Sequence, residues 1–64
     1  MNVFIEKENK LLELQKSCTG KELLKSLNIN PNTVLLIKNN EVVLLDEPLG
    51  KNDDIKIMTV VSGG

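Results

Sequence analysis

The sequence predicts an α+β domain in which one short amphipathic helix covers one face of a small mixed sheet. Three observations carry that prediction. β-Compatible runs open and close the chain, with two more such runs in its second half; a single helix-start signal stands at Thr19–Glu22; and polar turn residues separate these segments. The chain has 64 residues, which gives room for one core, with none for a second domain or a deep enclosed active site. A fold this small buries only about 60% of the surface its unfolded chain exposes. With 41% hydrophobic residues it is nevertheless too apolar to remain disordered.

Residues Asn2 to Glu6 form a first strand and Lys10 to Leu14 a second, joined through the polar Lys7-Glu8-Asn9 as a hairpin. Thr19-Gly20-Lys21-Glu22 reads as a capping box: the Thr19 hydroxyl accepts from the Glu22 amide, and the Glu22 carboxylate accepts from the Thr19 amide. Leu23, Leu24 and Leu27 then share one helical face. Asn28 and Pro31 supply the stop, for a helix of about nine residues. Val34 to Lys38 is the next strand, Asn39-Asn40 a pair suited to the positive φ angles of a tight hairpin, and Glu41 to Leu45 the returning strand. Asp46 to Asp54 reads as a surface connection with only Leu49 pointing inward. The last strand runs from Ile55 to Val61, with Ile55, Ile57 and Thr59 on one side and Lys56, Met58 and Val60 on the other. Burying the apolar first and last strands together places them side by side in the sheet centre.

Composition excludes several functions. Eight lysines against nine carboxylates give a net charge of -1, which suits neither a phosphate backbone nor an anionic membrane. Phe4 is the sole aromatic residue, so base stacking has no platform. One cysteine and no histidine rule out an internal disulfide, a zinc module and the usual nucleophile–base pair. No apolar run approaches the roughly 20 residues of a membrane span, and the first residues lack a basic segment followed by an apolar one, so a cytoplasmic protein is expected.

Two features invite a functional reading and have a simpler structural one. Cys18 precedes the capping Thr19, where an apolar side chain packs on Leu23 as a hydrophobic staple; the competing reading is a thiol activated by the helix N-terminus. Asp53-Asp54 could serve a metal or an acid–base site, but no third ligand accompanies the pair, and aspartate is ordinary in a turn. The pair Gly63-Gly64 is less ordinary. Two terminal glycines arise by chance in roughly one chain in 200. They add nothing to packing, yet a tail without β-carbons can pass a narrow channel and present the Gly64 carboxylate to a partner's active site.

The element order, the length, the ending Val61-Ser62-Gly63-Gly64 and the acidic segment Leu49-Gly50-Lys51-Asn52-Asp53-Asp54-Ile55 together resemble the ubiquitin-like sulfur carriers, which include the ThiS and MoaD types and the archaeal small modifier proteins. The resemblance spans essentially the whole chain. Asn39-Asn40 departs from the Asn-Gly of many relatives. What the resemblance implies is a β-grasp fold over residues 1–64, with a flexible tail at residues 62–64, and a carrier rather than an enzyme. It implies that a partner adenylyltransferase related to ubiquitin-activating enzymes, using ATP and magnesium, activates the Gly64 carboxylate, and that Gly63 is required for passage. The carrier itself would bind no cofactor and no metal.

A persulfide would convert the adenylate to a thiocarboxylate, consumed by a thiazole or molybdopterin synthase or by a tRNA-thiolating enzyme. If Val34 and Leu36 face the helix, Leu35, Ile37, Met58 and Val60, with Val61, form an apolar partner-binding surface on the opposite face; the simpler reading is that some of them pack at the sheet edge. Two alternatives remain open at this stage: a protein modifier joined through Gly64 to target lysines, and a passive interaction module. A monomer suits any of the three.

Overall fold

The computed structural model describes residues 1–60. Its strands are β1 (Asn2–Ile5), β2 (Lys10–Glu13), β3 (Cys18–Thr19), β4 (Val34–Lys38), β5 (Glu41–Val43), β6 (Pro48–Leu49) and β7 (Asp54–Thr59), and its α-helix is α1 (Gly20–Ser26). Five strands form a mixed sheet in the order β2-β1-β7-β4-β5, with β1 and β7 parallel at its centre and every other pairing antiparallel. The helix packs on one face, which is the β-grasp arrangement expected above.

Period-two alternation builds the core. Val3 and Ile5 of β1, Ile55 and Ile57 of β7 and Leu36 of β4 meet Leu23 and Leu24 of α1, with Met1 and Leu49 closing the cluster. The helix starts where the capping box places it: the Glu22 amide donates to the Thr19 hydroxyl at 3.2 Å and the Thr19 amide to the Glu22 carboxylate at 2.9 Å. It ends in a Schellman motif. Asn28 turns left-handed at φ 60°, its amide donates to the Lys25 carbonyl, and the Ile29 amide reaches back to Leu24 at 2.9 Å. The helix proper has seven residues, against about nine expected, because Thr19 and Leu27 serve as its N-cap and C-cap.

Other boundaries differ for identifiable reasons. Glu6 leaves the first strand for a 3-10 turn, Glu6–Glu8, because Asn9 turns left-handed and donates to the Glu6 carbonyl. Leu14 lies just past β2, where its amide bonds the Met1 carbonyl, while the Met1 amino group donates to the carbonyls of Leu14 and Lys51. The returning strand stops at Val43, and the Leu45 carbonyl instead accepts from Lys21 at the start of α1. The connection from Asp46 to Asp54 holds a strand, since Pro48 and Leu49 pair with Thr19 and Cys18. Leu49 does point inward, and Cys18 packs half-buried against the core. Each of the four non-glycine residues with positive φ among those described is an asparagine, Asn39 and Asn40 at 50° and 71° included. Asparagine thus fills here the backbone positions that glycine most often fills.

Candidate functional site

The sequence places the chemistry at Gly64, reached through Gly63, and both lie outside the described residues, as does Val61. What surrounds their point of departure is the outer face of the sheet and the end of β7.

Strand register assembles that face. With Val3, Ile5, Leu36, Ile55 and Ile57 committed to the helix side, their neighbours point outward. Phe4 lies opposite Leu11 on one side and Lys56 on the other; Leu35 lies opposite Met58; Ile37 sits between Lys56 and Val42. Val34 is half-buried and Leu36 buried on the helix side, so Leu35 and Ile37 take the outward positions that the sequence made conditional on that facing. Leu35 is exposed, whereas Ile37, Met58 and Val60 are half-buried.

The sequence reading missed the breadth of this surface. Phe4, Leu11 and Val42 belong to it, Leu11 and Val42 being 67% and 65% exposed. The signal lay in the pairing rather than in the residues. Leu11-Leu12 is apolar at two successive positions, so alternation alone does not say which leucine turns outward until the partner strand fixes the register. Lys56 sits amid this apolar surface, and its amine approaches the Glu6 carboxylate at 3.7 Å. An exposed pair of that kind contributes little to stability, about 0–1 kcal/mol.

At the far end of β7 the two aspartates are structural. The Asp53 carboxylate accepts from the Gly50 amide at 2.7 Å and the Asn39 side chain at 3.1 Å, and the Lys38 amine lies 3.7 Å away. Those contacts hold its pKa below the ordinary carboxylate value, the Gly50 bond being the largest cause. The Asp54 carboxylate accepts from the Asn2 side chain at 3.2 Å. Lys38 also reaches the Glu47 carboxylate at 3.2 Å and the Pro48 carbonyl at 3.0 Å, tying β6 to the sheet. Among the described residues no group of carboxylates and thiols is arranged to hold a metal ion. No described helix is long and apolar enough to cross a membrane.

At the other end Val60 lies one residue beyond β7, and its amide donates to the Thr33 carbonyl at 2.8 Å. That is the last backbone bond before residues 61–64. The arrangement offers a broad apolar face, with the root of the Gly-Gly segment at its margin. Such a layout suits docking followed by delivery of a chain end, with no pocket required for chemistry in the domain itself.

Comparison with known proteins agrees with this layout. The family model described as the ThiS family matches residues 3–64. The sulfur carrier protein TtuB of Thermus thermophilus is 28% identical over 57 residues, covering 89% of this chain and 88% of that protein. An uncharacterized protein of Archaeoglobus fulgidus is 42% identical over 43 residues, 67% of this chain and 63% of that one. Among solved structures, the solution structure of a thiamine biosynthesis protein from Geobacter metallireducens matches with a TM-score of 0.61 at 20% identity, covering 100% of this chain and 88% of that chain. At that identity the likeness speaks for the fold.

Proposed function

The chain belongs to the ThiS family of ubiquitin-like sulfur carriers, and on that premise we propose that Gly64 carries the sulfur as a C-terminal thiocarboxylate. The observation that supports this reading most is the reach of the family match, which extends through Gly63 to Gly64. The chemistry follows from the poor electrophilicity of a carboxylate. A partner adenylyltransferase, using ATP and magnesium, lets a Gly64 carboxylate oxygen attack the α-phosphorus and expels pyrophosphate. The acyl carbon of the resulting adenylate is then open to a persulfide sulfur, with AMP leaving. In the acyl disulfide so formed, a thiol attacks the persulfide's inner sulfur and forms a disulfide with it, which releases the thiocarboxylate for an acceptor enzyme to consume.

In this reading the domain is a co-substrate rather than an enzyme, working as a monomer in the cytoplasm. Leu35, Ile37, Met58, Val60 and Val61 serve as the docking residues, joined by Phe4, Leu11 and Val42. The acceptor is a thiazole synthase, a molybdopterin synthase or a tRNA-thiolating enzyme, and the partner's surface makes that choice.

The test is the intact mass of the protein taken from its native host without a C-terminal tag. Replacement of one terminal oxygen by sulfur is expected, as is loss of adenylate formation when Gly64 is deleted. Normal adenylation of the deletion variant would sink the assignment. An unmodified carboxylate, together with branched Gly-Gly remnants on lysines of other proteins, would make the chain a protein modifier instead.

A further inference from the structure

We propose that the turn Asn30–Thr33 is a positioning device that fixes the chain at Val60, the root of the reacting end, with Asn30 as its organising residue; this rests on the carrier reading above. The reason lies in how β7 is held along its length. From Ile55 to Ile57 it has neighbours on both sides, β1 and β4. The β1 register ends at the pair Ile5 and Ile57. Beyond that point Met58 pairs only with Leu35 and Thr59 only with Val34, and then the Val60 amide bonds the Thr33 carbonyl at 2.8 Å. On the helix side of the sheet, an open groove runs between the 3-10 turn after β1, at Lys7 and Glu8, and the Asn28–Val34 segment, with Ile57 and Thr59 along it. Among the described residues, the Thr33 carbonyl is therefore the last backbone hydrogen-bond partner that fixes the chain at Val60.

That carbonyl sits in a 3-10 turn, Pro31–Thr33, organised by Asn30. The Asn30 side chain accepts from the Asn32 amide at 2.9 Å, and its carbonyl accepts from both the Thr33 amide at 3.2 Å and the Thr33 hydroxyl at 3.0 Å. Pro31 presets φ at the first position of the turn. Upstream, the Ile29 amide is bonded to the Leu24 carbonyl, and Leu24 is buried. A continuous run of backbone bonds thus links the helix in the core to the root of the tail.

Reaction at a chain end delivered into a partner's site depends steeply on placement, since a displacement of about 1 Å can cost roughly 100-fold in rate. Docking rests on side chains of the outer face, whereas the turn acts on the backbone at Val60. Loosening the turn should therefore lower kcat for adenylate formation and leave KM in place, the signature of an interaction that matters in the reacting complex rather than in binding.

The experiment compares wild type, Asn30→Ala, Asn30→Asp and Val60→Pro at a temperature where circular dichroism shows all four folded. Adenylation is followed with ATP and the adenylyltransferase encoded by the same organism. Amide hydrogen exchange at Val60 is measured in the first three. Asn30→Ala is expected to speed Val60 exchange and lower kcat by about 10-fold or more, with KM within about two-fold. Asn30→Asp, whose carboxylate caps the turn equally well, should restore both. Val60→Pro deletes the donor itself and should lower kcat; since its side chain also lies on the docking face, a change in its KM is expected as well. Unchanged kcat in Asn30→Ala and Val60→Pro, or a rise in KM alone in Asn30→Ala, would overturn the turn's role. A wild type that forms no adenylate would instead overturn the carrier reading, and this role with it.

Discussion

The two ends of β7 are held very differently. At its leading end, Asp53 and Asp54 engage Gly50, Asn39, Lys38 and Asn2, and the Asn39 amide and side-chain oxygen bond the Asp54 carbonyl and amide at 2.8 and 3.0 Å. At its trailing end the last tie among the described residues is one backbone bond, from Val60 to Thr33. Both ends belong to one strand of one sheet, so strand propensity does not explain the contrast. The leading end is where the connection carrying Leu49 must be folded back onto the core, and that closure needs a dense polar frame. At the trailing end the described chain closes no such loop onto the core, and the proposed carrier role would place the reacting chain end just beyond it.

Substitutions at the leading end should break this contrast most. Leu49→Ala removes a side chain only 1% exposed and should cost about 2–5 kcal/mol, read as a lowered midpoint in denaturant. Asn39→Ala comes next: a left-handed backbone costs an alanine about 1–2 kcal/mol before the lost side-chain bonds are counted. Asn39→Gly separates the two contributions, because it keeps the conformation at φ 50° and loses only those bonds. Asn40→Gly, at φ 71°, should be close to neutral.

Asp53→Asn sharpens the comparison through pH. Because the folded-state pKa of Asp53 is depressed, its contribution is fully present above the unfolded value and is lost as pH falls through the folded one. The variant should therefore show a shallower loss of stability below the ordinary carboxylate range. An acid limb identical to wild type would mean that the frame around Gly50 and Asn39 does not depend on the charge. At the trailing end Met58→Asp should have the smallest effect on stability, since the outer face is not the core. It should weaken partner binding in a pull-down or by calorimetry; unfolding instead would mean that this face is needed for the fold.

Much of the fold was legible in the chain because its signals are local. The capping box at Thr19 and Glu22, the stop at Asn28, the hairpin pair Asn39-Asn40 and the inward Leu49 each depend on neighbours within a few residues, and each stands where the sequence places it. The broader docking face was not legible. Leu11 and Val42 read as ordinary strand residues until Phe4 and Ile37 are set beside them. The role of Asp53 was hidden likewise, because an aspartate in a turn carries no mark of the lysine and asparagine that another strand brings to it.

The sequence by itself determined the helix, the turns, the α+β class and the Gly63-Gly64 ending, since these follow from dihedral preference, side-chain period and bonds between near neighbours. Only the tertiary structure decided that Pro48 and Leu49 pair with Cys18 and Thr19, that Lys38 ties β6 to the sheet, and that Thr33 holds Val60. Those partners stand 10 to 31 positions apart in the chain, and their pairing depends on the register that burial of the whole core selects.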